Sequence, residues 1–397
     1  MVEWKKIEDF GSYFGGLSGK TKEDFVEGNA KFVTYMNVFS NPSLDIKSTG
    51  VVRINEGEKQ NKIQKGDILF TGSSETPEEA GMSCVVTDDL NEDFYMNSFC
   101  FGIRLDKPEQ YNLGFLKHIL RSNNVRKDIT KSASGVTRFN ISKARFGKIL
   151  IPIPSLEEQQ RIVGILDTFT ACIDNLKEQI AQRRKQYEHY RDELLDLEGK
   201  EGVEKKVLGS FGDVTKLAGF EFTEHVVYQE SGHIIALRGL NVRDGHLDLS
   251  KVKYIDGSNF SKLVRSKLIK DDMLFTYVGT IGNVALIDEN EKYYLAPNVS
   301  RIRFDKEIVN PKFALYCFLS DYFKRTQINK YLNSSSMKNL SMENIRKFEL
   351  YLPKLAEQSR IVSILDTFEA SIANLEAQLK EREKQYEYYR NKLLTFE

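Results

Sequence analysis

Two stretches of the chain place apolar residues at alternating spacings of four and three. In residues 154–198 the stripe runs Ile162, Leu166, Phe169, Ile173, Leu176, Ile180, Arg183, Tyr187, Tyr190, Leu194, Leu197. In residues 353–397 it runs Ile361, Leu365, Phe368, Ile372, Leu375, Leu379, Arg382, Tyr386, Tyr389, Leu393, Phe396. A heptad stripe sustained this long predicts a coiled-coil helix, and at 1.5 Å per residue each helix would run about 60–65 Å. Pro154, Ser155 and Glu158 form a start signal, a capping box, in the first copy; Lys354 replaces the serine in the second. The two segments superpose without a gap at an offset of 199 and are identical at about three positions in five. Such a repeat fixes the architecture before any local motif does. The chain is two similar halves, each a globular region followed by a long helix.

The chain leaves the first helix, builds the second globular region and returns along the second helix, so helices that pack on each other run antiparallel. Seams with two different molecules are the alternative. Arg183 and Arg382 interrupt both seams at one repeat position, where a charge fixes register at a cost in stability or reaches a nucleic-acid partner. The paired tyrosines read as seam residues with their hydroxyls at the edge, or as stacking platforms. Val163, Ile165, Val362 and Ile364 widen the stripe beyond a seam and ask for a second neighbour, a globular region or another subunit.

The intervening regions read as mixed α and β. Short apolar runs such as KFVTYMNVF, GDILFTG, HIIALRGLNV and DDMLFTYVG lie between Gly, Asn, Asp and Pro breakers, as strands do. Helix-like stretches follow at Leu113–Ser122 and Pro311–Thr326. GDILFT and DDMLFT occupy equivalent places, as do SGVTRFNISKARFGKILIPIP and SSSMKNLSMENIRKFELYLPK, which lead into the helices. The expected fold is therefore α+β: two globular mixed α/β domains (1–153 and 203–352) joined by two long antiparallel coiled-coil helices (154–202, with its linker, and 353–397), with a pseudo-twofold internal repeat.

A length of 397 residues suits two or three domains with their own cores. Formal charge is zero, yet residues 155–198 carry 10 acids against 6 bases and residues 354–397 carry 8 against 7, which leaves +5 on the globular regions. That is a mild lean towards an anionic partner. Cys84, Cys100, Cys172 and Cys317 show no CxxC spacing, which suits a reducing compartment and argues against a thiolate zinc site. The sequence shows no apolar leader and no run able to span a bilayer, so the expectation is a cytoplasmic protein without a membrane partner.

Catalytic motifs are absent. The sequence has no GxxxxGK[ST] loop, HExxH, GxSxG elbow or glycine-rich strand–helix turn. Asn41-Pro42-Ser43 reads as a turn, and His118, His189, His225, His233 and His246 are scattered, with Tyr388 standing at the place of His189 in the repeat. Neither a catalytic nor a metal-binding set emerges. Polar loops are more suggestive. The first half offers Thr71, Ser73, Ser74, Ser134, Thr137, Arg138 and Asn140; the second offers Arg238, Arg243, Thr276, Thr280, Asn283, Ser336 and Lys338. Small hydroxyls suit close approach to phosphate, and Arg, Lys and Asn can read base edges. An ordinary hydrophilic loop has the same composition. Met337 stands where Arg138 does, so an arginine contact shared by both halves is not expected there.

The two copies of P-x-L-x-E-Q-x-R-I-V-x-I-L-D, at Pro154–Asp167 and Pro353–Asp366, each at the exit of a variable globular region, resemble the specificity subunits of type I DNA restriction–modification systems. GDILFTG and ALRGLNVRDGHLDL resemble segments of that family, and the likeness covers essentially the whole chain. The resemblance implies a non-catalytic subunit with two target-recognition domains, each reading one half of a split double-stranded DNA target, while the helices set the gap. It implies two methyltransferase (modification) subunits as partners, with restriction subunits in the full complex. No cofactor would sit in this chain: S-adenosylmethionine would belong to the methyltransferase, ATP and Mg to the restriction subunit. Because the two domains differ, the target is expected to be asymmetric. A tandem-domain protein–protein scaffold without DNA recognition is the rival reading.

Overall fold

The computed structural model describes residues 2–217, 222–332 and 339–396. Ser336 and Lys338 lie outside the described residues. The chain divides into two compact units, Met1–Lys177 with Ala377–Glu397, and Glu178–Glu376. Each unit holds one globular region, the first part of one long helix and the last part of the other. The helices themselves span Leu156–Leu195 and Leu355–Leu393.

Both globular regions are built on the same framework. In the first unit a four-stranded antiparallel sheet has the order Gly11–Gly15, Cys100–Leu105, Ile68–Thr71, Ser83–Val85. In the second the order is Gly212–Lys216, Val299–Phe304, Met273–Thr276, Val284–Leu286. The runs ILFT and MLFT are buried at every position, because each is flanked by strands on both sides. The aspartate before each run is buried too and is held by a forked ion pair. Arg104 donates to Asp67 at 3.0 and 2.7 Å, and Arg303 donates to Asp272 at 2.7 and 2.7 Å. A buried carboxylate needs such a partner.

A parallel pair, Ala30–Val33 with Phe94–Met96 in one unit and Ile235–Leu237 with Tyr293–Leu295 in the other, carries the second layer. Each region then closes on itself: Glu3–Lys6 pairs with Leu150–Ile153, and Glu204–Val207 pairs with Glu349–Leu352. Those closing strands hand the chain straight to Pro154 and Pro353.

The first turns of each helix are buried in the globular core. Phe70, Phe101 and Phe146 pack with Ile162, Val163 and Leu166, and Phe275, Phe318 and Phe348 pack with Ile361 and Leu365, with Val362 beside them. The wide stripe at Val163 and Val362 thus finds its second neighbour in its own globular region. The glutamine of the repeated E-Q fixes this junction. Buried Gln159 accepts from the Asn112 N–H (2.8 Å) and donates to Pro154 O (2.8 Å). Buried Gln358 accepts from the Asn310 N–H (2.8 Å) and donates to Pro353 O (2.8 Å) and Ile308 O (3.1 Å).

Within each unit the two helices pair antiparallel. Phe169 stacks on Tyr389 at 5.3 Å and Lys177 meets Glu383 at 3.8 Å in the first; Tyr190 stacks on Phe368 at 5.4 Å and Arg184 meets Glu376 at 2.5 Å in the second. Numbers rise on one helix as they fall on the other. Arg382 lies over the Phe169 ring at 5.8 Å, and Arg183 over Phe368 at 5.9 Å. Each seam phenylalanine therefore contacts both a guanidinium and a tyrosine of the facing helix, which gives the arginines a cation–π partner inside the pair.

Candidate nucleic-acid interface

In the second unit the strand Ile235–Leu237 runs into Arg238 and then into buried Asn241. The Asn241 side chain donates to Asp248 O (2.9 Å) and Lys251 O (3.1 Å) and accepts from the Arg238 N–H (3.1 Å). It ties down a hairpin in which Val242–Arg243 pairs with His246–Leu247. The tip residues Asp244 and Gly245 have φ of 43° and 91°, the left-handed pair that a two-residue hairpin turn requires. Arg243 is exposed beside Asp248 (3.4 Å).

Across from this hairpin, the buried Thr276 hydroxyl donates to Thr280 O (2.5 Å) and accepts from the Asn283 N–H (3.0 Å), which shapes the loop between them. Asn283 donates to Val242 O (3.1 Å), so loop and hairpin are joined. Together they line a groove of about 610 Å³ whose walls include Arg243, Thr276, Thr280 and Asn283. Four of the seven residues proposed from sequence for this half thus meet at one place. Arg238 is half-buried nearby and donates to Lys251 O (2.9 Å).

In the first unit, Ser73–Ser74 pairs with Phe139–Ile141, which pairs with Ala133–Ser134, so that Ser73, Asn140 and Ser134 sit abreast on three strands. Thr137 and Arg138 lie in the loop between the last two strands, and Ser134, Thr137, Arg138 and Asn140 are exposed. Thr71, Ser73 and Ser74 are buried. The Thr71 hydroxyl accepts from the Met82 N–H (2.9 Å), the counterpart of the Thr276 turn, and Ser73 O accepts from the Tyr35 hydroxyl (2.7 Å). Thr71 and Thr276 shape the surface from beneath; the exposed loop residues form it.

The residues that position these loops were not evident from sequence. Asn37 matches Asn241: buried, it donates to Asp45 O (2.8 Å) and Ser48 O (2.7 Å) and accepts from the Asp45 N–H (3.2 Å). The available signal was one asparagine at the same place after the first strand of each parallel pair. Arg121 donates to the carbonyls of Val38, Phe39, Asn41 and Ser83, and Arg126 to those of Glu78, Ala80 and Gly81. Burial pulls both guanidinium groups down to about 10, still far above neutrality.

The repeated aspartate is used in both units with different donors. In the first, His118 Nε2 lies 2.8 Å from Asp167 Oδ1 and Lys117 joins at 2.8 Å; the His118 hydrogen bond leads in holding that carboxyl down at about 2. In the second, the Tyr316 hydroxyl donates to Asp366 at 2.6 Å and Lys312 lies at 2.8 Å. Burial pushes the Cys84 and Cys100 thiols up to about 12, leaving them neutral. Among the described residues no group of His, Cys, Asp and Glu could hold a metal ion, and no helix is long and apolar enough to cross a membrane.

Sequence comparison matches residues 1–183 and 203–384 to the type I restriction modification DNA specificity domain, so the family's profile fits each half separately. A Haemophilus influenzae protein bearing the name of a type I restriction enzyme specificity subunit is 30% identical over 72% of this chain and 73% of its own length. The type I restriction enzyme EcoKI specificity subunit of Escherichia coli is 28% identical over 86% of this chain and 76% of its own length. The fold is similar to that of the crystallised type I restriction–modification S subunit of M. genitalium, with a TM-score of 0.56 at 14% identity over 100% of this chain and 97% of that one. It is also similar to a chain from a study of assembly and conformational transition in a type I system, with a TM-score of 0.63 at 17% identity over 99% of this chain and 97% of that one. With two matched copies of the domain that together span most of its length, this chain belongs to the type I restriction modification DNA specificity family.

Proposed function

We propose that this chain selects the DNA target of a type I restriction–modification complex, each globular region reading one half of a split, asymmetric double-stranded site. One observation carries the reading. Two frameworks alike in sheet order, buried aspartate, loop-holding asparagine and helix junction present exposed loops that differ from each other. A shared scaffold with divergent surfaces is what one task on two different half-targets requires.

In this reading the chain performs no chemistry. Two methyltransferase subunits dock on it, with restriction subunits joining in the full complex; S-adenosylmethionine serves the methyltransferase, and ATP and Mg the restriction subunit. Adenine, the base modified, leaves the stack in the partner's site. The helices set the gap between half-targets, and inserting one heptad into both copies lengthens the non-specific gap. Phosphate contacts supply much of the non-specific affinity, which falls with salt.

The test is fluorescence anisotropy of random-sequence duplex DNA with this chain and the methyltransferase subunits, titrated from low to high salt. Salt-sensitive binding is expected. Absence of any DNA binding at low salt would refute the reading and favour a protein-binding scaffold.

A further inference from the structure

We infer that Phe99 and Arg138 form a guanine-reading element in the first globular region, and that the second region lacks it. The inference rests on the DNA-reading function proposed above. Phe99 is 56% exposed, an unusual position for a large aromatic ring in a connector between two buried strands. Its backbone is pinned on both sides: its N–H donates to Asn97 Oδ1 (2.9 Å) and its carbonyl accepts from the Gly72 N–H (2.8 Å).

The Arg138 guanidinium lies over that ring at 5.5 Å and makes no ion pair among the described residues. Its loop is tight. Gly135 has φ 155°, and a Cβ there would fall 1.9 Å from Arg138 O, so a larger residue would displace the arginine. Val136, in the same loop, is 92% exposed.

A guanidinium placed over an aromatic ring, with no side-chain hydrogen bond or ion pair of its own among the described residues, can turn its edge to the paired acceptors O6 and N7 of guanine in the major groove. A phosphate is the competing acceptor, and the charge nearby is mixed. Ser74 pairs with Phe139, and the chain after Ser74 carries exposed Glu75, Glu78 and Glu79. Those carboxylates weigh against the backbone of DNA, while Lys143 and Arg145, on the segment that follows Phe139, weigh for it; a phosphate contact would lower binding to every sequence alike, which separates it from a base contact.

The matching connector of the second region, between Tyr293–Leu295 and Val299–Phe304, puts Asn298 at the place of Phe99, exposed and with φ 70°. The two half-targets therefore differ at the position this element contacts.

The experiment is selection of bound duplexes from a random library by the full chain with the methyltransferase subunits, followed by affinities for the selected site and its single-base variants. Wild type should require one guanine in one half-target. Arg138→Ala should flatten that preference by on the order of ten- to a hundredfold, leaving the other half-target as selected, which also controls for folding. Phe99→Leu should weaken the same preference in part. If a bipartite site is selected but Arg138→Ala lowers binding to every sequence alike, or changes nothing, the guanine assignment is overturned while the DNA-reading function stands. If wild type enriches no sequence at all, both fall.

Discussion

Replacing Gln358 by alanine removes three hydrogen bonds at a site with no solvent access. The change leaves the Asn310 N–H and the carbonyls of Pro353 and Ile308 without their partner. An orphaned buried polar group costs about 1–3 kcal/mol, and the three share one small space, so their losses will not simply add. The expected loss is about 3–5 kcal/mol. Gln159→Ala orphans two groups, the Asn112 N–H and Pro154 O, and should cost about 2–4 kcal/mol. Gln358→Glu keeps the acceptor for Asn310 but turns a carboxylate towards two carbonyls, and should be no better than alanine. Urea unfolding of the full chain, followed by far-UV circular dichroism, measures the losses. Fluorescence of Trp4, the single tryptophan, adds a probe on the strand that pairs with Leu150–Ile153, just before the first helix. Losses below about 1 kcal/mol for both alanine variants, or a larger loss at Gln159, would refute the claim that these glutamines lock helix to domain.

Three further outcomes are expected. A double-mutant cycle of Arg382→Met with Phe169→Leu should show about 0.5–1 kcal/mol of coupling in urea unfolding; zero coupling would mean that the guanidinium is merely near the ring. Burial lowers the pKa of His118 below its ordinary value of 6.5 despite the opposing pull of Asp167. The unfolded chain then takes up the proton more readily, so this group's contribution is complete above about pH 6.5 and is lost as the pH falls below it. His118→Tyr, which copies Tyr316, should flatten stability between pH 5 and 6.5 relative to wild type, and parallel slopes in urea titrations would contradict this. Asn241→Ala orphans Asp248 O and the Arg238 N–H and should reduce discrimination in one half-target more than in the other, read from single-base variants; equal loss in both would count against a loop-holding role.

The repeat, the antiparallel pairing and the equivalence of GDILFT with DDMLFT were legible in sequence, because each is a local pattern written twice. The role of the wide stripe was half legible. Val163 and Val362 announced a second neighbour, but only packing shows that it is the chain's own core. Composition drew attention to the Thr71 and Thr276 loops but could not separate the buried threonines that shape them from exposed Arg138, Arg243 and Thr280. That distinction depends on which strand covers which side chain. Asn37 and Asn241 escaped notice because their partners lie 7 to 11 residues onward with no motif to mark them. Gln159 and Gln358 were visible as part of a repeated motif, but their partners, 47 and 48 residues away, were not. The seam arginines looked like a cost because the facing phenylalanines could not be placed in register.

The most direct test of the account is single-molecule methylome sequencing of a host that expresses this chain with its methyltransferase subunits. The account predicts one methylated motif with two different specified halves separated by a fixed non-specific gap. A continuous motif, a palindromic pair of halves, or methylation unchanged when this chain is omitted would contradict it.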